Sequence, residues 1–205
     1  FQTKIRHQND EIAIGIIGRI VPVKNHVLFI NAIKEVLNST SQKLRFIIVG
    51  DGDLRLSLQK MLADYNIAYN YFPENETAQT VTFTSWLTAM DEVYAGIDIV
   101  TLSSLNEGTP VSLIEAQAAN KPIVSTDVGG VKDIVLENKT AFVTPSENTA
   151  LFAEAILKLT ENAALRSTFG QKGKNHVMNR FDKSRLVNDM RNLYYQLLAE
   201  KNIKF

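Results

Sequence analysis

Short apolar runs alternate with amphipathic stretches over the first two thirds of the chain. The runs IAIGIIG (12–18), LRFIIVG (44–50), IDIVTLS (97–103), KPIVST (121–126) and AFVT (141–144) read as strands, with VTFT (81–84) as a further short one. Most carry apolar residues at consecutive positions, the signature of strands buried on both faces of a parallel sheet. Between them, Val27, Leu28, Ile30, Ile33 and Leu37 recur at helical spacing. Leu54, Leu58, Met61 and Leu62 do the same, then Met90, Val93 and Tyr94 over a shorter stretch. This rhythm predicts an α/β chain, a Rossmann-like doubly wound parallel sheet with helices on both faces. The last third differs: LFAEAILKLT, LRSTFGQKGKNHVM and SRLVNDMRNLYYQLLAE predict three helices with no strand between them. Leu186, Met190, Leu193, Tyr194, Leu197 and Leu198 form an apolar stripe on the last of these. Residues 70–80, NYFPENETAQT, are polar with one proline and predict an exposed loop.

Composition narrows the function classes. At 205 residues and 45% hydrophobic, the chain suits one large α/β domain, or a domain with an appendage. Its 22 basic and 22 acidic residues cancel. Neutrality without a long Lys/Arg run gives no support for nucleic-acid binding or a polybasic membrane anchor, although a small anion needs only two or three local cations. With no cysteine, disulfides, Cys-ligated zinc and thiol nucleophiles are excluded, and a cytoplasmic location is compatible. No apolar stretch is long enough for a membrane span and no signal peptide leads the chain. The start at Phe1 rather than Met points to a piece of a longer protein.

In an open parallel sheet, ligands bind beyond the C-terminal strand ends, and the informative stretches fall there. GRIVPVK follows the first strand: Gly18 permits a tight turn, and Arg19 and Lys24 are a planar fork and a point charge suited to a diphosphate. Two solvated cations beside a turn would look the same. GDGDLR, residues 50–55, resembles a phosphate loop but lacks the third glycine of the dinucleotide fingerprint and the Lys-Ser/Thr of a P-loop. Asp51 or Asp53 is better read as the cap of the next helix.

EGTPVSLIE, from Glu107 to Glu115, follows IDIVTLS. Thr109 suits an N-cap and Pro110 a first helical position, so a helix start falls inside the motif, with its free N–H groups as a seat for phosphate. Gly108 lets a ligand approach the backbone. Glu107 before the helix and Glu115 about a turn and a half inside it flank that seat, where carboxylates accept hydrogen bonds from sugar or ribose hydroxyls. Two acids so placed supply too few clustered oxygens for a divalent metal. The alternative is an exposed acid beside an ordinary capped helix. In TDVGGVKDIV (126–135), Gly129 and Gly130 are a plain turn or a ligand contact. His7, His26 and His176 have no metal spacing and read as structural or exposed. Trp86 reads as packing or as a platform for a base.

Taken in order, GRIVPVK, VGDGDLR, VTFTSW, DIVTLSSLNEGTPVSLIEAQAANKPIVSTDVGG and FDKSRLVNDMRNLYYQLL resemble the C-terminal, donor-binding half of a group 1 retaining glycosyltransferase of the GT-B fold. The resemblance runs from about Ile12 to Leu198. It implies a nucleotide-sugar donor domain over residues 1–180, and a C-terminal helix over 181–205 that packs towards an N-terminal domain for which this chain has no counterpart. It implies that Arg19 and Lys24 clamp the diphosphate, Glu115 holds the ribose, and Glu107 faces the transferred sugar. Gly18 and the backbone from Gly108 through Thr109 and Pro110 to Val111 would meet phosphate and sugar oxygens, and Ser85, Trp86 and Leu87 would lie beside the base. The acceptor, a glycan, lipid or small molecule, would be held by the other domain, so the chain alone is expected to be inactive. Neither cofactor nor metal is implied, and membrane contact of a full-length protein stays open. Departures from the family pattern are Asn25 after the lysine and Ser85 in the base loop, each where glycine is usual, and a longer stretch at 68–80. The other readings are a sugar-nucleotide epimerase or a phosphorylase of similar fold, or a non-catalytic nucleotide-binding or interaction module. No lysine stands in an obvious setting for the pyridoxal phosphate that a phosphorylase needs.

Overall fold

The computed structural model describes residues 10–75, 77 and 79–201, so His7 lies outside the described residues. Among them, seven strands form one sheet: β1 (Ile12–Ile17), β2 (Leu44–Val49), β3 (Tyr69–Tyr71), β4 (Val81–Phe83), β5 (Ile99–Leu102), β6 (Ile123–Thr126) and β7 (Ala141–Thr144). Their order is β3-β4-β2-β1-β5-β6-β7 and every pairing is parallel. The helices are α1 (His26–Ser39), α2 (Arg55–Asp64), α3 (Met90–Gly96), α4 (Val111–Ala118), α5 (Val131–Ile134), α6 (Thr149–Glu161), α7 (Ala163–Phe181) and α8 (Lys183–Glu200).

Alternation along the buried strands sends side chains to two cores. Ile14, Ile16, Phe46 and Ile48 pack with Phe29 of α1, Leu58 of α2 and Phe152 of α6 on one face. Ala13, Ile47, Val49 and Val100 pack with Val93 and Tyr94 of α3, Leu113 of α4 and Val131 of α5 on the other. Burial on both faces accounts for the continuous apolar runs. Gly15 shows how tight the second core is: a Cβ there would stand 2.3 Å from Ile97 Cδ1.

Several strand boundaries and one element differ from the sequence expectations: β4, β5 and β6 are each shorter than the apolar runs 81–84, 97–103 and 121–126 that mark them. Strands end a residue early at Ile17 and Val49, because Gly18 (φ 151°) and Gly50 (φ 130°) turn the chain out of the sheet. Residues 70–80 are not loop throughout. Tyr69–Tyr71 is an edge strand, and Asn70 is buried with its Oδ1 accepting from Thr82 Oγ1 at 2.8 Å, so the polar residue sits on a strand because a cross-strand hydroxyl satisfies it.

The chain runs from β1 to β2 and onward to that edge, then returns to place β5 on the other side of β1. The loops after β1 and β5 therefore meet at the topological switch point, the crevice such sheets use for ligands. α8 buries none of its residues, and Leu186, Met190, Leu193, Tyr194 and Leu197 on it are exposed. No helix among the described residues is long and apolar enough to cross a membrane.

Candidate functional site

The loop after β1 is shaped by two residues of unusual backbone conformation. Gly18 leaves the strand at φ 151°, and Pro22–Lys24 forms a single 3-10 turn. Asn25 then adopts the left-handed conformation (φ 45°, ψ 49°) and caps α1, its side chain accepting from the Leu28 N–H. Asparagine tolerates that conformation better than other non-glycine residues, which explains its presence where glycine is usual. Arg19 is exposed at the loop's tip, while Lys24 turns inward.

The loop after β5 is bound to it. Ser103 Oγ donates to the Lys24 carbonyl at 2.8 Å, and the Leu105 N–H donates to the Val23 carbonyl at 2.8 Å. Lys24 Nζ meets Glu107 Oε1 at 2.6 Å, and Ser104 Oγ donates to the same oxygen at 2.6 Å. Ser104 is itself held by Thr126 Oγ1, which donates to its carbonyl at 2.7 Å.

Gly129 and Gly130 wedge against this segment from the loop after β6. A Cβ on Gly129 (φ 49°) would lie 1.8 Å from the Glu107 carbonyl oxygen, and one on Gly130 would lie 2.3 Å from that of Gly108. The Gly130 N–H donates to the Glu107 carbonyl at 3.3 Å. The glycine pair therefore supports the Glu107–Gly108 backbone, a role that accounts for both residues without a ligand.

The helix starts one residue later than the sequence expectation. Thr109 does not cap it: Pro110 is the N-cap at ψ 92°, no side chain caps, and α4 opens at Val111. Pro110 is buried and keeps an extended conformation, so the first free N–H groups belong to residues just after the loop. Gly108 has open space where a Cβ would go, leaving its backbone approachable.

Glu115 lies on an exposed face of α4. Tyr94 OH, from α3, stands 2.8 Å from Glu115 Oε2 and 3.1 Å from the Ser112 carbonyl. Burial, then the hydrogen bond to Glu115 and its charge, push the Tyr94 hydroxyl far above its ordinary range, so it stays a donor.

Around the β2 and β4 loops, neither Asp51 nor Asp53 caps α2, whose N-cap is Leu54. Asp51 is a hub instead. Its Oδ1 accepts from the Gly52 N–H (2.8 Å) and Arg55 Nε (3.1 Å), and its Oδ2 from Tyr71 OH (3.1 Å) and Ser85 Oγ (3.2 Å). Burial works to raise its carboxyl, but these donors together hold it below the ordinary carboxylate range. Ser85 takes a left-handed conformation (φ 61°) and bridges to Gly50, so its hydroxyl bond to Asp51 offsets the strain of replacing glycine. Trp86 is exposed and lines a cleft with Arg19 and the start of α2, while Leu87 packs on the α3–α4 core.

Among the sequence-selected residues, the structure thus brings Lys24, Glu107, Gly108, Gly129 and Gly130 into one assembly, with Gly18 and Arg19 on the adjoining turn. Glu115 and Leu87 lie on the α3–α4 side, and Trp86 faces the α2 side. Sequence reasoning missed Ser104, Tyr94 and Asp51. Paired serines directly before the acidic motif were a usable signal for Ser104. Tyr94 was hidden within an apolar helical stripe. Among the described residues, no group of three or more His, Asp or Glu is placed to hold a metal.

Known proteins share this architecture. The profile described as "Glycosyl transferases group 1" matches residues 1–176. The chain belongs to the group 1 glycosyl transferases. Among members of this family, it is 26% identical over 92% of its length to the poly(ribitol-phosphate) alpha-N-acetylglucosaminyltransferase of Staphylococcus aureus, covering 36% of that protein. It is 25% identical over 95% of its length to a UDP-Gal:alpha-D-GlcNAc-diphosphoundecaprenol alpha-1,3-galactosyltransferase of Escherichia coli, covering 48% of it. The chain therefore spans less than half the length of these relatives. The crystal structure of a point mutant of S. aureus TarM with Fondaparinux, alpha-GlcNAc-glycerol and UDP superposes with a TM-score of 0.77 at 26% identity, over 92% of this chain and 36% of that one. The C-terminal domain of LpcC, a group 1 family protein from Francisella tularensis, shares the fold at a TM-score of 0.71 and 19% identity, over 84% of this chain and 87% of that domain. The Rossmann-like half of a GT-B group 1 glycosyl transferase is the fold of this chain.

Proposed function

We propose that this chain is the donor-binding part of an enzyme that transfers a sugar from a nucleoside diphosphate to an acceptor, with retention of configuration. The observation that carries the reading is the Lys24–Glu107 pair, which joins the two loops of the switch point beside the open backbone at Gly108. In the liganded protein, Lys24 and Arg19 hold the diphosphate together with the N–H groups opening α4. Their charge, with the helix dipole, stabilises the negative charge that develops on the leaving oxygen. Glu107 accepts from hydroxyls of the transferred sugar and orients it. Glu115 accepts from the ribose hydroxyls, and the base lies by the Leu87 side of the 85–87 loop. The named E. coli relative uses a UDP sugar and TarM was crystallised with UDP, which favours uridine as the base.

The acceptor, a glycan, lipid or small molecule, is held by a part of the enzyme that this chain does not supply, so the chain by itself transfers nothing. α8 carries its apolar stripe across to that part. The reading includes a cytoplasmic location and chemistry without a metal or cofactor. No observation favours an epimerase, a phosphorylase or a non-catalytic module.

Calorimetric titration with UDP, GDP and ADP tests the reading. Saturable binding of one nucleotide, weakened at least tenfold in Lys24→Ala, supports it. An unchanged dissociation constant in that variant removes Lys24 from the site. Weakening in Glu115→Ala that is equal for a ribonucleotide and its 2′,3′-dideoxy analogue removes the ribose role.

A further inference from the structure

Trp86 is the sole tryptophan and is 60% exposed. It lines a cleft of about 610 Å³ with Arg19, Asp51, Asp53, Arg55 and Leu56. This cleft is not the seat assigned to the nucleotide. α2, which forms its floor, packs through Leu58 and Leu62 on the α1–α2 face of the sheet. Leu87, one residue beyond Trp86, packs on the opposite face with Tyr94 and Leu113, where Tyr94 meets Glu115. The left-handed turn at Ser85 divides the loop between the two sides.

The cleft's chemistry is specific. Asp51 already accepts four hydrogen bonds, and its partner Arg55 also lies over the Tyr71 ring at 3.9 Å. These groups form a fixed wall with little left to offer a ligand. Asp53 and Arg19 are exposed, and their side chains have no hydrogen-bonding partner among the described residues. The formal charges of the two arginines and two aspartates cancel, which disfavours a phosphate. What remains is an indole face, a free acceptor and a free fork of donors. A molecule that matches has one apolar face, a rim of hydroxyls and no charge, which describes a pyranose ring.

We propose that this cleft binds a neutral sugar ring of the acceptor glycan remote from its reacting end, which the other part of the enzyme holds; the ring stacks on Trp86, with its hydroxyls donating to Asp53 and accepting from Arg19. The word acceptor rests on the transferase reading; the saccharide site does not. Arg19 stands on the boundary between this cleft and the diphosphate seat, so bound UDP takes its N–H donors and leaves Trp86 and Asp53 to hold the sugar, more weakly but still saturably.

Because Trp86 is the only tryptophan, emission excited at the red edge, where the six tyrosines do not absorb, reports on this cleft alone. The experiment titrates the chain with methyl α-glucoside, methyl α-galactoside and methyl N-acetyl-α-glucosaminide, each with and without excess UDP. At least one glycoside should change the emission saturably, with half-saturation of about 1–10 mM for so small a ligand. The response should persist in UDP and weaken at least fivefold in Asp53→Asn, a substitution at an exposed position that the fold tolerates. Three results overturn the proposal. One is no response to any glycoside up to about 50 mM, a concentration at which even weak contacts register, which would leave Trp86 as a contact to another domain. Another is loss of the response in UDP, which would give Trp86 to the base. The third is unchanged binding in Asp53→Asn. Failure of UDP to bind in calorimetry would count against the donor reading and leave the glycoside readout intact.

Discussion

Lys24 Nζ stands 2.6 Å from Glu107 Oε1, and the two side chains belong to loops separated by 83 residues. The carboxylate is almost enclosed (10% exposed) and the ammonium is 27% exposed. Without a donor, each group satisfies the other. On the proposed donor-binding reading, binding is an exchange, in which phosphate oxygens would take over Lys24 and sugar hydroxyls would take over Glu107.

Glu107→Gln separates the halves of that exchange. The amide keeps the shape and can still accept from Ser104, but it no longer competes for the lysine. UDP binding to this variant should tighten about three- to tenfold, roughly 1 kcal/mol. The lost pair should cost about 1–2 kcal/mol of stability, less than a fully buried pair because Lys24 is partly solvated. Calorimetry and urea unfolding read the two effects. Weaker UDP binding would mean that Glu107 itself holds the nucleotide.

Two glycines close together should respond in opposite ways to alanine. At Gly108 a Cβ meets nothing, so Gly108→Ala should change stability by less than about 0.5 kcal/mol while weakening UDP binding through obstruction of the backbone. At Gly129 a Cβ meets the Glu107 carbonyl and the backbone is left-handed, so Gly129→Ala should cost about 3 kcal/mol or more. Thermal unfolding beside calorimetry distinguishes them. Equal stability losses would refute the assignment of ligand approach to one and support to the other.

Tyr94→Phe deletes the hydroxyl that meets Glu115 and the Ser112 carbonyl. The expected stability loss is about 1–2 kcal/mol. UDP should bind a few-fold more weakly, about the effect of misplacing one acceptor, while the 2′,3′-dideoxy analogue should bind as before. Equal weakening of both would show that Tyr94 serves packing alone.

His26 links stability to pH. Burial, then the charge of Lys24, lowers its pKa from 6.5 to about 4, and neither ring nitrogen has a hydrogen-bond partner. The native state thus binds fewer protons than the unfolded state between these values. The stability contribution is complete above pH 6.5 and is lost as pH falls towards 4, by up to about 3 kcal/mol. Urea unfolding across that window should show the slope, and His26→Leu should flatten it. A slope unchanged in the variant would assign it to other groups.

The sequence by itself determined the class of fold. Strands buried on both faces must be apolar at consecutive positions, so β1, β2, β5 and β6 stood out, and the periodicity of α1 and α6–α8 was equally open. The loops of the candidate site were legible for a related reason. Glycines 18, 50, 108 and 129 mark places where the backbone must turn or be approached, and Glu107 and Glu115 stand among them. Tertiary structure alone decided the rest. That β5 lies beside β1, bringing Lys24 to Glu107, depends on strand order, which no local pattern encodes. Tyr69–Tyr71 is a strand only because Thr82 answers Asn70. Asp51 is a hub rather than a cap because Tyr71 and Ser85 arrive from β3 and the β4 loop. The opposite facing of Trp86 and Leu87 follows from the turn at Ser85, held by that same carboxylate. Long-range hydrogen bonds and backbone contacts select among conformations that are locally equivalent, so they become visible only once the chain has closed on itself.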